Sequence, residues 1–174
     1  MVAPLIRLAQ DADAQCIAVM SRCLIEVGLR GWSWDPGRVK RVLRHRECCV
    51  VVAQIGGRVE GFAIAEFGDT RLHLSLLAVN AVRQRCGIGR ALVAWLEQSA
   101  LTAGISEVHL ELRANNAAAR FFYEALGYEF VRAAPGYYSG VETAHKMHKH
   151  IGVITASQQA LSHYELLFKN KYLK

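Results

Sequence analysis

Between Val79 and Leu92 the chain reads Asn80-Ala81-Val82-Arg83-Gln84-Arg85-Cys86-Gly87-Ile88-Gly89-Arg90-Ala91, with glycines and arginines crowded together just where an apolar helical stripe begins. This composition suits a phosphate. Glycines at 87 and 89 let the backbone approach an oxyanion without interference from a Cβ, and the unpaired N–H groups and dipole of a helix starting there attract negative charge. Arg83, Arg85 and Arg90 add countercharge. A dinucleotide site would need a third glycine two residues after Arg90, where Leu92 stands, and a glycine turn after the first strand, which is absent from the sequence. His145, His148 and His150 are the other residues of a type that binds metals, but strand spacing puts them on opposite faces. Cys16, Cys23, Cys48, Cys49 and Cys86 form no CxxC pair and are expected as free, buried thiols.

The elements that must position this loop can be traced by periodicity. Val2 to Leu8 is a short strand, followed by a helix capped by Asp11 or Asp13 with Ile17, Met20, Leu24 and Val27 on its apolar side. Gly28 to Gly37 is a loop carrying Trp32 and Trp34, and a short basic helix then ends near His45. Cys48–Ile55 and Val59–Phe67 flank Gly56-Gly57 as a hairpin, and Arg71 to Val79 is a central strand that runs into the glycine loop. Ile88, Leu92, Trp95, Leu96 and Ala100 mark a long helix closed by Gly104. A strand at Val108–Leu112, a helix from Asn115 to Leu126, and strands at Tyr128–Val131 and Glu142 to about Lys149 complete an α/β pattern. Ser157 to Phe168 is a further amphipathic helix.

Gln84-Arg85-Cys86-Gly87-Ile88-Gly89 resembles the Q/R-x-x-G-x-G/A signature with which the GNAT superfamily of N-acetyltransferases binds acetyl-CoA. The segment from Leu110 through Arg113, Asn116 and Tyr123 to Tyr128 is similar to that superfamily's LxVRxxNxxAxxLYExLGF stretch. Together the two span about residues 72 to 132. The resemblance implies a GNAT fold: an α/β domain over residues 1–150, whose mixed, mostly antiparallel central sheet is split between the fourth and fifth strands and flanked by helices. Residues 151–174 would be a helical C-terminal extension, packed on the domain or on a second subunit as a homodimer.

The resemblance also assigns roles. Acetyl-CoA would be the cosubstrate, its phosphates held by Gln84, Arg85, Cys86, Gly87, Ile88, Gly89 and Arg90, and its pantetheine arm by Leu77, Ala78 and Val79. Asn116 would contact the cofactor, although an asparagine at that point is equally expected as a helix cap. Tyr123 would protonate the departing sulfur, since a phenol with an ordinary pKa of about 10 still holds its proton at neutral pH. Glu111 falls where the ribosomal-protein-alanine N-acetyltransferase branch places its general base, and burial would raise its pKa. It could equally be a structural carboxylate paired with Arg113, with Glu66 a second candidate base. The stretch Tyr137-Tyr138-Ser139-Gly140-Val141-Glu142 looks like part of the same branch but departs at Thr143, where the branch has aspartate. No metal is implied.

The totals are compatible with this reading. A chain of 174 residues that is 52% apolar and 21% charged makes one domain with an ordinary core. No apolar run reaches bilayer length, and a soluble, cytoplasmic protein without a membrane partner is expected. The formal charge of +6 favours anionic partners. Acetyl-CoA is one such partner, and nucleic acid is disfavoured because the basic helix from Arg38 to Arg46 lacks clustered stacking aromatics. The acceptor would be a small amine, a lysine or a protein N-terminus. The rival is a catalytically idle acyl-CoA sensor.

Overall fold

The computed structural model describes residues 3–29 and 33–152, so the helix expected at Ser157 to Phe168 and Trp32 lie outside the described residues. In chain order the elements are β1 (Leu5–Leu8), α1 (Ala14–Leu24), α2 (Pro36–Leu43), β2 (Cys48–Ile55), β3 (Arg58–Phe67), β4 (Arg71–Val79), α3 (Ile88–Thr102), β5 (Glu107–Arg113), α4 (Ala117–Glu124), β6 (Glu129–Tyr138) and β7 (Glu142–His150). One 3-10 turn, Asp11–Asp13, precedes α1 and another, Ala81–Arg83, leads from β4 into the glycine loop. The strands form one sheet in the order β1-β2-β3-β4-β5-β7-β6, antiparallel except for the parallel pair β4–β5.

Two cores lie on opposite faces of this sheet. Val51, Ala63, Leu72, Leu74 and Leu110 pack with Leu92 and Leu96 of α3 and Tyr123 of α4. Val50, Val52, Phe62 and Ile64 pack with Ile17 of α1 and Val39 of α2. In β3 the assignment alternates residue by residue, as a regular strand requires. In β4 it does not: Leu74 belongs to the first core, whereas Leu76 and Ala78 belong to the second. The cause is a bulge, because Ile64 opposes Leu76 and Ala65 opposes Leu74, leaving Ser75 as an extra residue. One inserted residue inverts the phase of everything after it.

The bulge coincides with the expected split. The parallel ladder pairs Arg71–Leu74 with Glu107–Leu110 and ends there, while β4 continues to Val79 and β5 turns to β7 for its pairing through Arg113.

Local signals explain most boundaries. Asp35 caps α2 by accepting the Arg38 N–H at 2.8 Å, with Pro36 at the first helical position. Neither Asp11 nor Asp13 caps α1 with its side chain. The Asp13 carboxylate instead accepts the Gln10 N–H at 2.7 Å and pairs with Arg7 at 2.7 Å, which ties the start of α1 to β1. Strand β6 runs to Tyr138 instead of stopping near Val131, because β7 supplies it with a pairing partner across two irregularities in register. Only Cys49 among the cysteines is buried; Cys16 and Cys23 lie on the outer side of α1 and Cys86 in the exposed loop.

Helix α3 lies against β3 through a missing side chain. A methyl group at Gly61 would stand 3.0 Å from Ile88 Cγ2 and 3.2 Å from the Ala78 carbonyl oxygen, which belongs to the strand backbone and cannot yield without disturbing β4. Gly61→Ala should therefore destabilise the domain by about 1–3 kcal/mol. In urea denaturation this appears as a lower midpoint at unchanged slope.

Candidate active site

The end of β4 and the loop that follows are anchored from below by Glu60, a buried carboxylate on β3. It accepts a hydrogen bond from Asn80 Nδ2 at 3.0 Å and faces Arg83 Nε at 3.6 Å, while its main-chain carbonyl accepts the Asn80 N–H at 2.8 Å. Gln84 Nε2 donates to the Val79 carbonyl at 3.1 Å, folding the loop back on the strand. Gly87 adopts φ +82° as the residue before α3, a conformation that a side chain would strain. Arg85 is also left-handed, at φ +62°. Residues 80–87 are exposed, so the loop offers its backbone and the arginines at 85 and 90 outward, beside the first turn of α3. The arrangement fits an anionic group at that helix N-terminus.

Helix α4 leans on this turn. A Cβ at Gly89 would stand 3.1 Å from Phe122, so glycine there also permits the contact of α3 with α4. Asn116 caps α4, its side-chain oxygen accepting the Ala119 N–H at 3.0 Å. Next to Phe122, the Tyr123 ring is 7% exposed and packs edge-on against Tyr128 at 5.4 Å. Burial, with a smaller contribution from Tyr138, pushes the Tyr123 phenol above its ordinary range and keeps it protonated.

Glu111 occupies the opposite side of the split. His73 Nε2 lies 2.6 Å from Glu111 Oε2, and Lys146 Nζ lies 3.1 Å from Oε1, so β4, β5 and β7 each contribute one member of the cluster. Sequence reasoning placed Glu111 here but expected burial to raise its pKa. The structure reverses that: the hydrogen bond from His73 outweighs desolvation, Lys146 adds to it, and the carboxyl is held down at about 2. Arg113 does not pair with Glu111; it sits 3.5 Å from Glu142 and donates to the Ile25 carbonyl at 2.9 Å, joining β5 to the end of α1. Glu66 is exposed on β3, directly opposite His73.

Tyr137 and Tyr138 approach from β6. Burial, then the Glu111 charge, raises Tyr137, and burial raises Tyr138 to about 12, with Tyr137 and Glu111 adding to the rise. Glu111 thus adds to the rise of Tyr138, and Tyr138 to that of Tyr123. His73, Lys146, Glu60 and Tyr138 were not found as site residues from sequence. Only the pairing of distant strands reveals them, although the resemblance at Tyr137-Tyr138 pointed to the last. His145 opposes Leu112 and His148 opposes His109, so those two histidines lie on different faces. Trp34 packs on the second core beneath the Arg38 guanidinium, 4.1 Å from the ring centroid.

Comparison with known proteins agrees with this geometry. The family model described as acetyltransferase (GNAT) family matches residues 14–128. An acetyltransferase of Pectobacterium atrosepticum is 30% identical over 122 residues, which is 70% of this chain and 84% of that protein. A ribosomal-protein-alanine N-acetyltransferase of Escherichia coli is 37% identical over 82 residues, 47% of this chain and 55% of that protein. The crystal structure of Ard1 from Thermoplasma volcanium superposes with a TM-score of 0.76 at 24% identity, covering 88% of this chain and all 100% of that one. Neighbours of this fold have been solved with coenzyme A or acetyl-CoA bound. Among the described residues no helix is long and apolar enough to cross a membrane. The chain is a member of the acetyltransferase (GNAT) family, an acetyltransferase with acetyl-CoA as its cosubstrate.

Proposed function

We propose that the chain transfers the acetyl group of acetyl-CoA to a primary amine by direct attack in a ternary complex, with a protein N-terminus the first acceptor to test. The observation that carries this reading is the parting of β4 from β5 at the Ser75 bulge, with the glycine loop at the end of β4 and Glu111 just beyond the last residue of β5 paired with β4. Past the bulge, β4 at Leu77, Ala78 and Val79 no longer pairs with β5. Its main-chain groups there are the binding edge for the pantetheine arm and the polarising donor for the thioester oxygen. Gln84, Arg85, Cys86, Gly87, Ile88, Gly89 and Arg90 hold the phosphates, and Asn116, while capping α4, borders the same end. The likeness to a ribosomal-protein-alanine N-acetyltransferase over 82 residues supports an α-amino acceptor.

Tyr123 is the acid in this scheme. Attack by a neutral amine forms the C–N bond and expels thiolate; because a thiolate is a weaker base than a phenolate, Tyr123 gives it a proton only in direct contact and regains one from the nitrogen of the new amide. Glu111, held ionised, draws the positive acceptor toward the gap and orients what lies beside it.

The reading is tested by release of free CoA thiol across N-terminal peptides, lysine peptides and small amines. Turnover on N-terminal peptides is expected. Tight acetyl-CoA binding with no turnover on any amine would instead make the chain an acyl-CoA-binding module. Tyr123→Phe keeps the packing against Phe122 and Tyr128; it should lower kcat about 100-fold or more while leaving the acetyl-CoA Kd, measured by calorimetry, within a factor of about two.

Glu111 also shapes acid stability. Its folded pKa of about 2 lies below the ordinary 4.5, so the unfolded chain takes up the proton first as pH falls. The contribution is present in full above pH 4.5 and is lost between pH 4.5 and about 2. Glu111→Gln should flatten the fall of the unfolding free energy across that window, measured by urea denaturation at stepped pH.

A further inference from the structure

If amine acetylation requires a proton acceptor, Glu111 is poorly placed to be one. His73 and Lys146 both donate to it, and a carboxylate with one oxygen engaged by an imidazole N–H and the other by an ammonium has little affinity for another proton. The next group along is better suited. With Nε2 committed to Glu111 at 2.6 Å, the His73 ring is fixed in direction, and its other nitrogen, Nδ1, stands 3.4 Å from the Ser75 hydroxyl. Ser75 is the bulge residue, at the point where β4 and β5 part. Hydroxyl, imidazole and carboxylate therefore follow one another from Ser75 through His73 to Glu111. This order lets a carboxylate hold an imidazole in one tautomer and stabilise its protonated form.

Resting on the acetyltransferase reading above, we infer that His73 is the proton acceptor for the incoming amine, taking the proton at Nδ1 through the Ser75 hydroxyl, while Glu111 orients the ring and stabilises the imidazolium.

The step balances. The acceptor ammonium gives one proton to Ser75 Oγ as Ser75 passes its own to Nδ1. The freed nitrogen pair forms the C–N bond, and the C–S bond breaks with its pair going to sulfur. Tyr123 protonates the thiolate and recovers its proton from the nitrogen of the new amide. The His73 proton leaves to solvent, since the side chain is 38% exposed and borders a recess of about 400 Å3 lined also by His109, Arg132 and Lys146. The 3.4 Å separation is long for a working hydrogen bond, as is common before substrates are bound. The charged and titratable groups facing His73 are Glu66 on β3, Arg71 on its own strand, His109 and Glu111 on β5, Arg132 on β6 and Lys146 on β7, with His148 behind His109. Glu111 is the one in hydrogen-bond contact with Nε2.

The experiment is the pH dependence of kcat/KM with the best N-terminal peptide, for wild type, His73→Gln, Ser75→Ala and Glu111→Gln. Acetyl-CoA affinity and thermal midpoint serve as controls of folding. Wild type should lose kcat/KM in a limb of one proton as falling pH protonates the imidazole. His73→Gln keeps a donor to Glu111 but cannot accept a proton. It should fall about 100-fold at pH 7 with unchanged acetyl-CoA affinity, leaving only the amine's own limb near pH 8. Glu111→Gln should move the imidazole limb to lower pH, because the imidazolium loses its countercharge, and Ser75→Ala should lower the rate without moving the limb. A His73→Gln enzyme with wild-type rate and limb overturns the inference and leaves the acetyltransferase reading intact; a wild type that acetylates no amine brings down both. Nitrogen-15 NMR of the free protein is a check that needs no acceptor. At pH 8 the His73 ring should carry its proton on Nε2 with Nδ1 bare, and a proton found on Nδ1 overturns the inference.

Discussion

Ser75 is the residue on which the architecture turns. A strand in the middle of a seven-stranded sheet normally pairs along its whole length on both sides, leaving no main-chain group free. By adding one residue opposite Ile64 and Ala65, β4 bends, exchanges the faces it shows to the two helical layers, and parts from β5. The cost of unpaired strand edge is tolerated where a ligand takes the place of the missing partner. In the function proposed above, the extended arm of acetyl-CoA is that ligand.

The loop at the end of β4 depends on close approach. Gly61 on β3 and Gly89 on α3 contribute space in place of side chains, one letting Ile88 and Leu92 reach the sheet and the other letting Phe122 reach the first turn of α3. The helix N-terminus is thereby brought to the end of the strand, with its unsatisfied N–H groups directed at one place. Glu60 completes the arrangement from beneath, since a buried carboxylate must be paired to be tolerated and its partners, Asn80 and Arg83, are loop residues. The pairing that satisfies Glu60 also fixes the loop.

The acceptor side follows a different rule. Glu111, His73 and Lys146 come from three strands and share one face of the sheet, where direct opposition across β5 and β7 sets Glu111 beside Lys146. Between the His73 N–H and the Lys146 ammonium the carboxylate stays charged throughout the neutral range. Arg113, two residues along the same face, is turned away to Glu142 and to the carbonyl of Ile25, and so couples the end of α1 to the strand that carries Glu111.

Local signals in the sequence determined a large part of this. The Gly56-Gly57 hairpin, the apolar stripe of α3 and the basic glycine loop are short-range features, and each was legible because a few neighbouring residues dictate it. The roles of Asn116 and Tyr123 came instead from the resemblance of a contiguous motif. What only the tertiary structure decided is long-range. Leu72, Leu74, Leu76 and Ala78 stand at alternate positions of one strand, and nothing in their types reveals that the first two serve one core and the last two the other. Likewise, Glu111 read alone is a carboxylate that burial should make less acidic. It becomes the opposite once strand register brings His73 from 38 residues away and Lys146 from another hairpin, because a charge answers to its neighbours in space and the sequence lists only its neighbours along the chain.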